Sequence, residues 1–159
     1  MINEQDLKYL RRCITLAETA LQTNDEPFGS ILVAADGEIL FEDFNHVSGG
    51  DHTQHPEFAI ARWAANHLSE DERATATVYT SGEHCPMCAA AHGWVGLNRI
   101  VYASSSAQLS QWLQELDVPP SKVRHLRIQD VITDTEVEGP VEDLAEEVRQ
   151  LHYRFHQQQ

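Results

Sequence analysis

Two prolines constrain this chain more than any composition figure. Each directly follows a residue able to bind a metal, in His55-Pro56-Glu57 and in Cys85-Pro86-Met87-Cys88. Proline suits the first position of an α-helix, where its missing N–H has no partner to lose and its fixed φ is already helical. Each proline opens a run with helical potential, Pro56 through Ala65 and Leu68, then Met87 to Val95. The spacing therefore predicts two helices with one imidazole, one carboxylate and two thiols in their first turns. Helix N-termini favour thiolates, because free N–H groups and the helix dipole stabilise negative charge. One His and two Cys make three zinc ligands, with a fourth position open, as in catalytic zinc sites. Glu57 falls in the first turn beside that position, where a carboxylate can move a proton without being a ligand.

Neither half is decisive alone. A single C-x-x-C also fits a redox dithiol or an incidental pair. One His-x-Glu means little among nine histidines. The joint arrangement is specific: both halves start helices, a predicted strand at Thr77-Val78-Tyr79-Thr80 separates them, and a hairpin precedes them.

The remaining elements frame this pair. Leu7, Leu10, Ile14, Ala17 and Leu21 recur at helical spacing, ending at Asn24-Asp25. Cys13 lies beside that stripe and reads as a small buried thiol. Ser30–Ala34 and Glu38–Phe41 flank Asp36-Gly37, a hairpin signal. Arg99–Ala103 reads as a buried strand, Ser104–Leu116 as loop and helix, and Val123–Val131 as weakly strand-like. Pro140 precedes an amphipathic helix with Val141, Leu144, Val148, Leu151 and Phe155 on one face. Strands alternating with helices predict a layered α/β domain with helices on a central sheet. With no repeat or linker in view, residues 1–159 read as one domain.

Charge limits the partners. Eleven Lys and Arg against 25 Asp and Glu leave a net charge of −14. Such a surface repels phosphate backbones, so nucleic acid is an unfavoured partner. No apolar run reaches the roughly 20 residues of a membrane helix. The first residues, Met1-Ile2-Asn3-Glu4-Gln5-Asp6, do not read as a signal peptide. With three cysteines and no export signal, the expected compartment is reducing and cytoplasmic.

On these motifs the chain resembles the cytidine deaminase-like zinc deaminases, in the branch of guanine, cytosine and tRNA adenosine deaminases. The matching stretches are Glu26–Val33, Asn45-His46-Val47, His55-Pro56-Glu57 and Thr80–Ala91. The resemblance implies a three-layer α/β/α sandwich around a mixed sheet of about five strands, commonly dimeric. It implies one Zn2+ per chain on His55, Cys85 and Cys88, with Glu57 as the proton shuttle. It also implies Asn45 as an amide that binds substrate and Phe28 as an aromatic wall. From the residues alone, Asn45 would more often serve a turn and Phe28 a core. Glu83 is expected to cap a helix or support the site.

Three departures bear on the substrate. Pro56 stands where many relatives have alanine, so a backbone donor is missing. His84 replaces the usual proline and is expected to face solvent. The segment Ser104–Ser110 lacks the acid that guanine deaminases similar to this chain carry. His92 is expected to pack at a helix interface and Trp94 to be buried. His152, Tyr153, Phe155 and His156 could cap the site, with Phe155 in the core stripe. The expected activity is hydrolytic deamination of a small heterocyclic amine, a nucleobase or nucleoside, by water. The alternatives are a tRNA adenosine deaminase and a non-catalytic zinc-stabilised binding domain.

Overall fold

The computed structural model describes all residues, 1–159. Helix α1 spans Glu4–Gln22 and starts at a capping box in which Asn3 and Asp6 satisfy each other's N–H groups. Strands β1 (Gly29–Val33) and β2 (Ile39–Phe44) form the expected hairpin. Helix α2 covers Pro56–His67, with Pro56 at its first position as the sequence predicts. A short helix α3, Glu70–Ala74, follows on a Ser69–Glu72 capping box. Strand β3 (Thr77–Gly82), helix α4 (Pro86–Trp94) and strand β4 (Ile100–Ser104) form a parallel crossover. Helix α5 (Ser106–Glu115), strand β5 (Val137–Glu138) and helix α6 (Glu142–Gln157) complete the chain.

The five strands lie in the order β2-β1-β3-β4-β5. Strand β1 runs antiparallel to β2 and β3, while β3, β4 and β5 are parallel, so the sheet is mixed. Successive side chains point to opposite faces, and the core divides accordingly. Ile31, Val33, Tyr79, Val101 and Ala103 pack with Leu10, Leu16, Leu144 and Val148 of α1 and α6. Leu32 and Val78 pack with Ile60 and Ala64 of α2 on the other side. Ile100 and Tyr102 meet Ala89 of α4 and Ile128. Helix α1 lies so close to β1 that a Cβ on Gly29 would sit 2.3 Å from the Cys13 carbonyl. Cys13 itself is fully buried, as expected.

The stretch 123–131 is not a strand. It is irregular up to a single 3-10 turn at Ile128–Asp130, and of its apolar residues only Ile128 is buried. The fifth strand is instead the two-residue β5, which pairs with Ile100 and Val101.

One ionic knot ties α1 to the sheet. Arg99 donates to both carboxylate oxygens of Asp6, each at 3.0 Å, and also to Glu138 of β5. Tyr79 Oη donates to Asp6 Oδ1 at 2.6 Å. Burial alone would raise the Asp6 carboxyl, but hydrogen bonds from Arg99, Tyr79 and Asn3 hold it at about 2. A carboxyl lowered by folding stabilises the native state above its unfolded value near 3.9, and that gain disappears as pH falls towards 2. The gain is about 2 kcal/mol at neutral pH. Urea unfolding at pH 6 and pH 3 checks this. At pH 3 the folded carboxyl is still mostly ionised, so Asp6→Asn should shrink the difference between the two pH values by about 1 kcal/mol, and an unchanged difference would refute the assignment.

Candidate active site

The site forms where two helix N-termini meet at the carboxyl end of β3. His55 is the residue that caps α2 and Cys85 the residue that caps α4. Cys88 lies in the first turn of α4 and is fully buried. His55 Nδ1 is 3.5 Å from both Cys85 Sγ and Cys88 Sγ. The ligand atoms of the three residues lie within 4.8 Å of one another. Zinc bonds of about 2.3 Å to sulfur and 2.0–2.1 Å to nitrogen, opened to a tetrahedral angle, require an N···S edge of about 3.5 Å. The donor set therefore fits zinc in type and in separation.

Its electrostatics point the same way. Cys85 is pulled down to about 4, first by a hydrogen bond from Cys88, then by His55. Cys88 is pushed the other way by its contact with Cys85 and by burial. Burial lowers the His55 imidazole, yet Cys85 and the nearby carboxylates lift it to about 9. Two thiolates this close cannot both ionise without a cation beside them.

Glu57 sits in the first turn of α2 and is 5% exposed. Ser30 Oγ of β1 lies 2.7 Å from its Oε1, and Thr80 Oγ1 of β3 lies 3.1 Å from the same oxygen. Both contacts go to Oε1, which leaves Oε2 for a ligand. Burial raises the Glu57 carboxyl, against the opposing pull of His55, Ser30 and Thr80. Ser30 and Thr80 were not singled out from the sequence. Ser30 is the one hydroxyl in the apolar run of β1, whereas Thr80 sits among Thr77, Tyr79 and Ser81 in β3 and carries no such signal.

Asn45 follows β2 and is 1% exposed. Its Oδ1 accepts the Val47 N–H at 3.1 Å, and its own N–H donates to the Phe28 carbonyl at 3.0 Å. Its side chain thus does serve a turn, while its Nδ2 has no partner in the chain. The loop beyond is pinned by Asp25, whose Oδ1 accepts the Ser48 N–H at 2.8 Å. Phe28 is half-buried. Its ring meets His152 of α6 edge-on at 5.0 Å and would lie 3.2 Å from a Cβ on Gly82. The C-terminal helix therefore reaches Phe28, through His152, which is buried at 2% exposure.

Of four surrounding residues, two match expectation and two do not. Glu83 behaves as expected, accepting the N–H groups of Ser106 and Ile128 and so holding the start of α5. His92 is packed inside, as expected. His84 does not face solvent: it is buried against His92. Trp94 is the reverse correction, 89% exposed, because the last turn of α4 turns it away from the sheet.

The family model described as the cytidine and deoxycytidylate deaminase zinc-binding region matches residues 3–104. The chain belongs to this deaminase family. It is 32% identical over 147 residues to a probable cytosine deaminase of Schizosaccharomyces pombe, covering 91% of this chain and 90% of that protein. It is 32% identical over 105 residues to the guanine deaminase of Bacillus subtilis, covering 65% and 67%. The structure of a guanine deaminase from Nitrosomonas europaea superposes with a TM-score of 0.71 over 99% of this chain and 86% of that one. At 16% identity that likeness speaks to the fold. The family's cofactor is zinc, and in this deaminase-family chain the His55, Cys85 and Cys88 cluster is a group that could hold it.

Replacing Asn45 by Ala tests whether its free amide has a ligand. If Nδ2 donates to bound substrate, loss of that bond should cost about 1–3 kcal/mol, or ~5- to 150-fold in kcat/KM. Steady-state kinetics read this directly. Unchanged kcat/KM would leave Asn45 a turn residue alone.

Proposed function

We propose that the chain catalyses hydrolytic deamination of a small amino-substituted nucleobase or nucleoside, exchanging the ring amino group for an oxo group and releasing ammonia. The observation that carries this reading is Glu57. It is a buried carboxylate with one oxygen anchored and one free, in the same helical turn as the His55 ligand. A purely structural metal site has no use for such a group.

His55, Cys85 and Cys88 are the residues that would hold zinc. Bound there, zinc acts as a Lewis acid that brings the pKa of water from 15.7 towards about 7. Glu57 accepts one proton of the attacking water and delivers it to the ring nitrogen next to the amino-bearing carbon. It then carries the second proton to the departing amine, so water and amine become oxo base and ammonia. Burial suits this exchange, because it raises the carboxyl and so makes Glu57 a better proton acceptor. Asn45 Nδ2 supplies a donor that orients an acceptor on the substrate, and Phe28 with His152 supports its flat face. Pro56 offers no N–H, and the unpaired Asn45 Nδ2 is a donor left available to substrate.

A free base or small heterocycle is preferred to tRNA as substrate, because the net charge of −14 opposes a polyanion. No helix is long and apolar enough to cross a membrane. A cytoplasmic location suits three free cysteines. Self-association as a homodimer suits the exposed Trp94.

Ammonia release is the test. Zinc-loaded protein is incubated with aminopurines, aminopyrimidines, their nucleosides, aminotriazines and an adenosine-bearing tRNA anticodon stem. Release from one small-molecule class supports the reading. Release from the RNA alone would replace it with the tRNA alternative, and silence at one zinc per chain would favour a binding domain.

A further inference from the structure

His84 and His92 form a pair that proton transfer at Glu57 does not use. Each is 1% exposed, and the two rings stand perpendicular with centroids 5.5 Å apart. His92 Nε2 lies 2.6 Å from the Asn98 carbonyl oxygen. A carbonyl only accepts, so Nε2 carries the hydrogen and Nδ1 of the neutral ring is a bare acceptor. Burial keeps that ring neutral, holding it at about 4. Nδ1 of His92 has no partner, and neither ring nitrogen of His84 has one. Three unpaired nitrogens on two adjoining rings break the rule that buried polar groups are hydrogen-bonded. Their needs are complementary. A His84 ring offers an N–H, His92 Nδ1 needs a donor, and a single water that accepts from one and donates to the other pairs two of the three nitrogens.

We propose that His84 and His92 enclose one buried water, and that this His84–water–His92 link positions Cys85. The link has a clear path. It begins at the Asn98 carbonyl ahead of β4, passes through His92 on the body of α4, and ends at the residue bonded to Cys85. From the other side, the same turn is held by Glu83, whose N–H donates to the Ser104 carbonyl at 2.8 Å. Prolines at 56 and 86 restrict their own φ, whereas histidine leaves φ at 84 free. The side chain therefore supplies the restraint that the backbone does not. This inference rests on reading His55, Cys85 and Cys88 as the metal ligands, since its effect is felt through Cys85.

Zinc affinity tests it, measured by competition with a chromophoric chelator for the unaltered chain, His84→Phe, His92→Gln and the double variant. Groups that orient metal ligands typically change affinity 10- to 100-fold. Each single variant should weaken zinc binding by about that factor. The double should be no weaker than either single, because one link is broken only once. The glutamine amide can still donate to the Asn98 carbonyl, so a loss in that variant belongs to the Nδ1 side. Cobalt substituted for zinc should show altered thiolate-to-metal absorption in the same variants. A crystal structure of the zinc-loaded protein should show a water about 2.6–3.2 Å from a nitrogen of each ring. Unchanged zinc affinity in His92→Gln, additive losses, or no water between the rings would each overturn the proposal. Absence of zinc from the unaltered chain would overturn the metal reading, and the positioning role with it.

Discussion

Glu57→Gln abolishes turnover while the protein keeps its fold and its zinc. Glutamine is nearly the same shape, and Ser30 and Thr80 can still donate to its amide oxygen where they now meet Glu57 Oε1. What it cannot do is accept a proton from water and return it to a ring nitrogen. General acid–base groups contribute typically 10²- to 10⁴-fold, and Glu57 is asked to act at least twice in one cycle. The expected loss in kcat is therefore at the upper end, about 10⁴-fold, or ~5 kcal/mol of barrier. Zinc content and thermal unfolding should match the unaltered chain. Burial of a charged carboxylate is unfavourable, so the variant should be as stable or slightly more so. Turnover within tenfold of the unaltered protein would remove Glu57 from the mechanism. It would also favour the binding-domain alternative if no other residue proved essential.

Loss of a ligand has a larger structural effect. Cys88 is fully buried, and its sulfur closes the triangle with His55 and Cys85. Cys88→Ala leaves two ligands, too few to hold zinc at micromolar concentration. Because zinc binds the folded state, its removal also withdraws stabilisation. A ligand at 1,000 times its dissociation constant contributes about 4 kcal/mol. For a chain of this size each kcal/mol moves Tm by about 2–4 °C, so the expected fall is ~8–16 °C. Scanning calorimetry with and without EDTA checks both parts. The unaltered protein should lose that stability on chelation and regain it with added zinc. Cys88→Ala should begin at the lower Tm and ignore EDTA. A chelator-insensitive unaltered protein would mean that the cluster holds no metal.

Much of this site could be read before any fold was known. Pro56 and Pro86 mark helix starts by a local rule, and the ligands stand beside them. The helices then need only a parallel crossover from β3 to bring the two starts together. The hairpin was likewise local, marked by Asp36-Gly37, although β1 is buried on both faces, with Ile31 and Val33 on one side and Leu32 on the other. What stayed hidden depends on distant partners. Two residues, Val137 and Glu138, carry no periodicity, and they are a strand only because Ile100 and Val101 pair with them. Val123 and Leu126 look apolar enough for a strand, yet nothing packs over them and they remain exposed. The expected burial of His84 and Trp94 was inverted for one reason. Residue type sets only an average preference: Trp94 is exposed at the last position of α4, whereas His84, in the turn ahead of that helix, is buried against His92.

The sheet's two borders have a further consequence. Strand β2 forms one border and carries Glu42 and Asp43, with an irregular register between Leu32 and Val33 where it leaves β1. Strand β5 forms the other and is only two residues long. A border that is charged or very short is a poor template for another chain's backbone. Lateral extension of the sheet from copy to copy is thereby discouraged at both sides. The aggregation that long bare strands invite is thus guarded against at both borders.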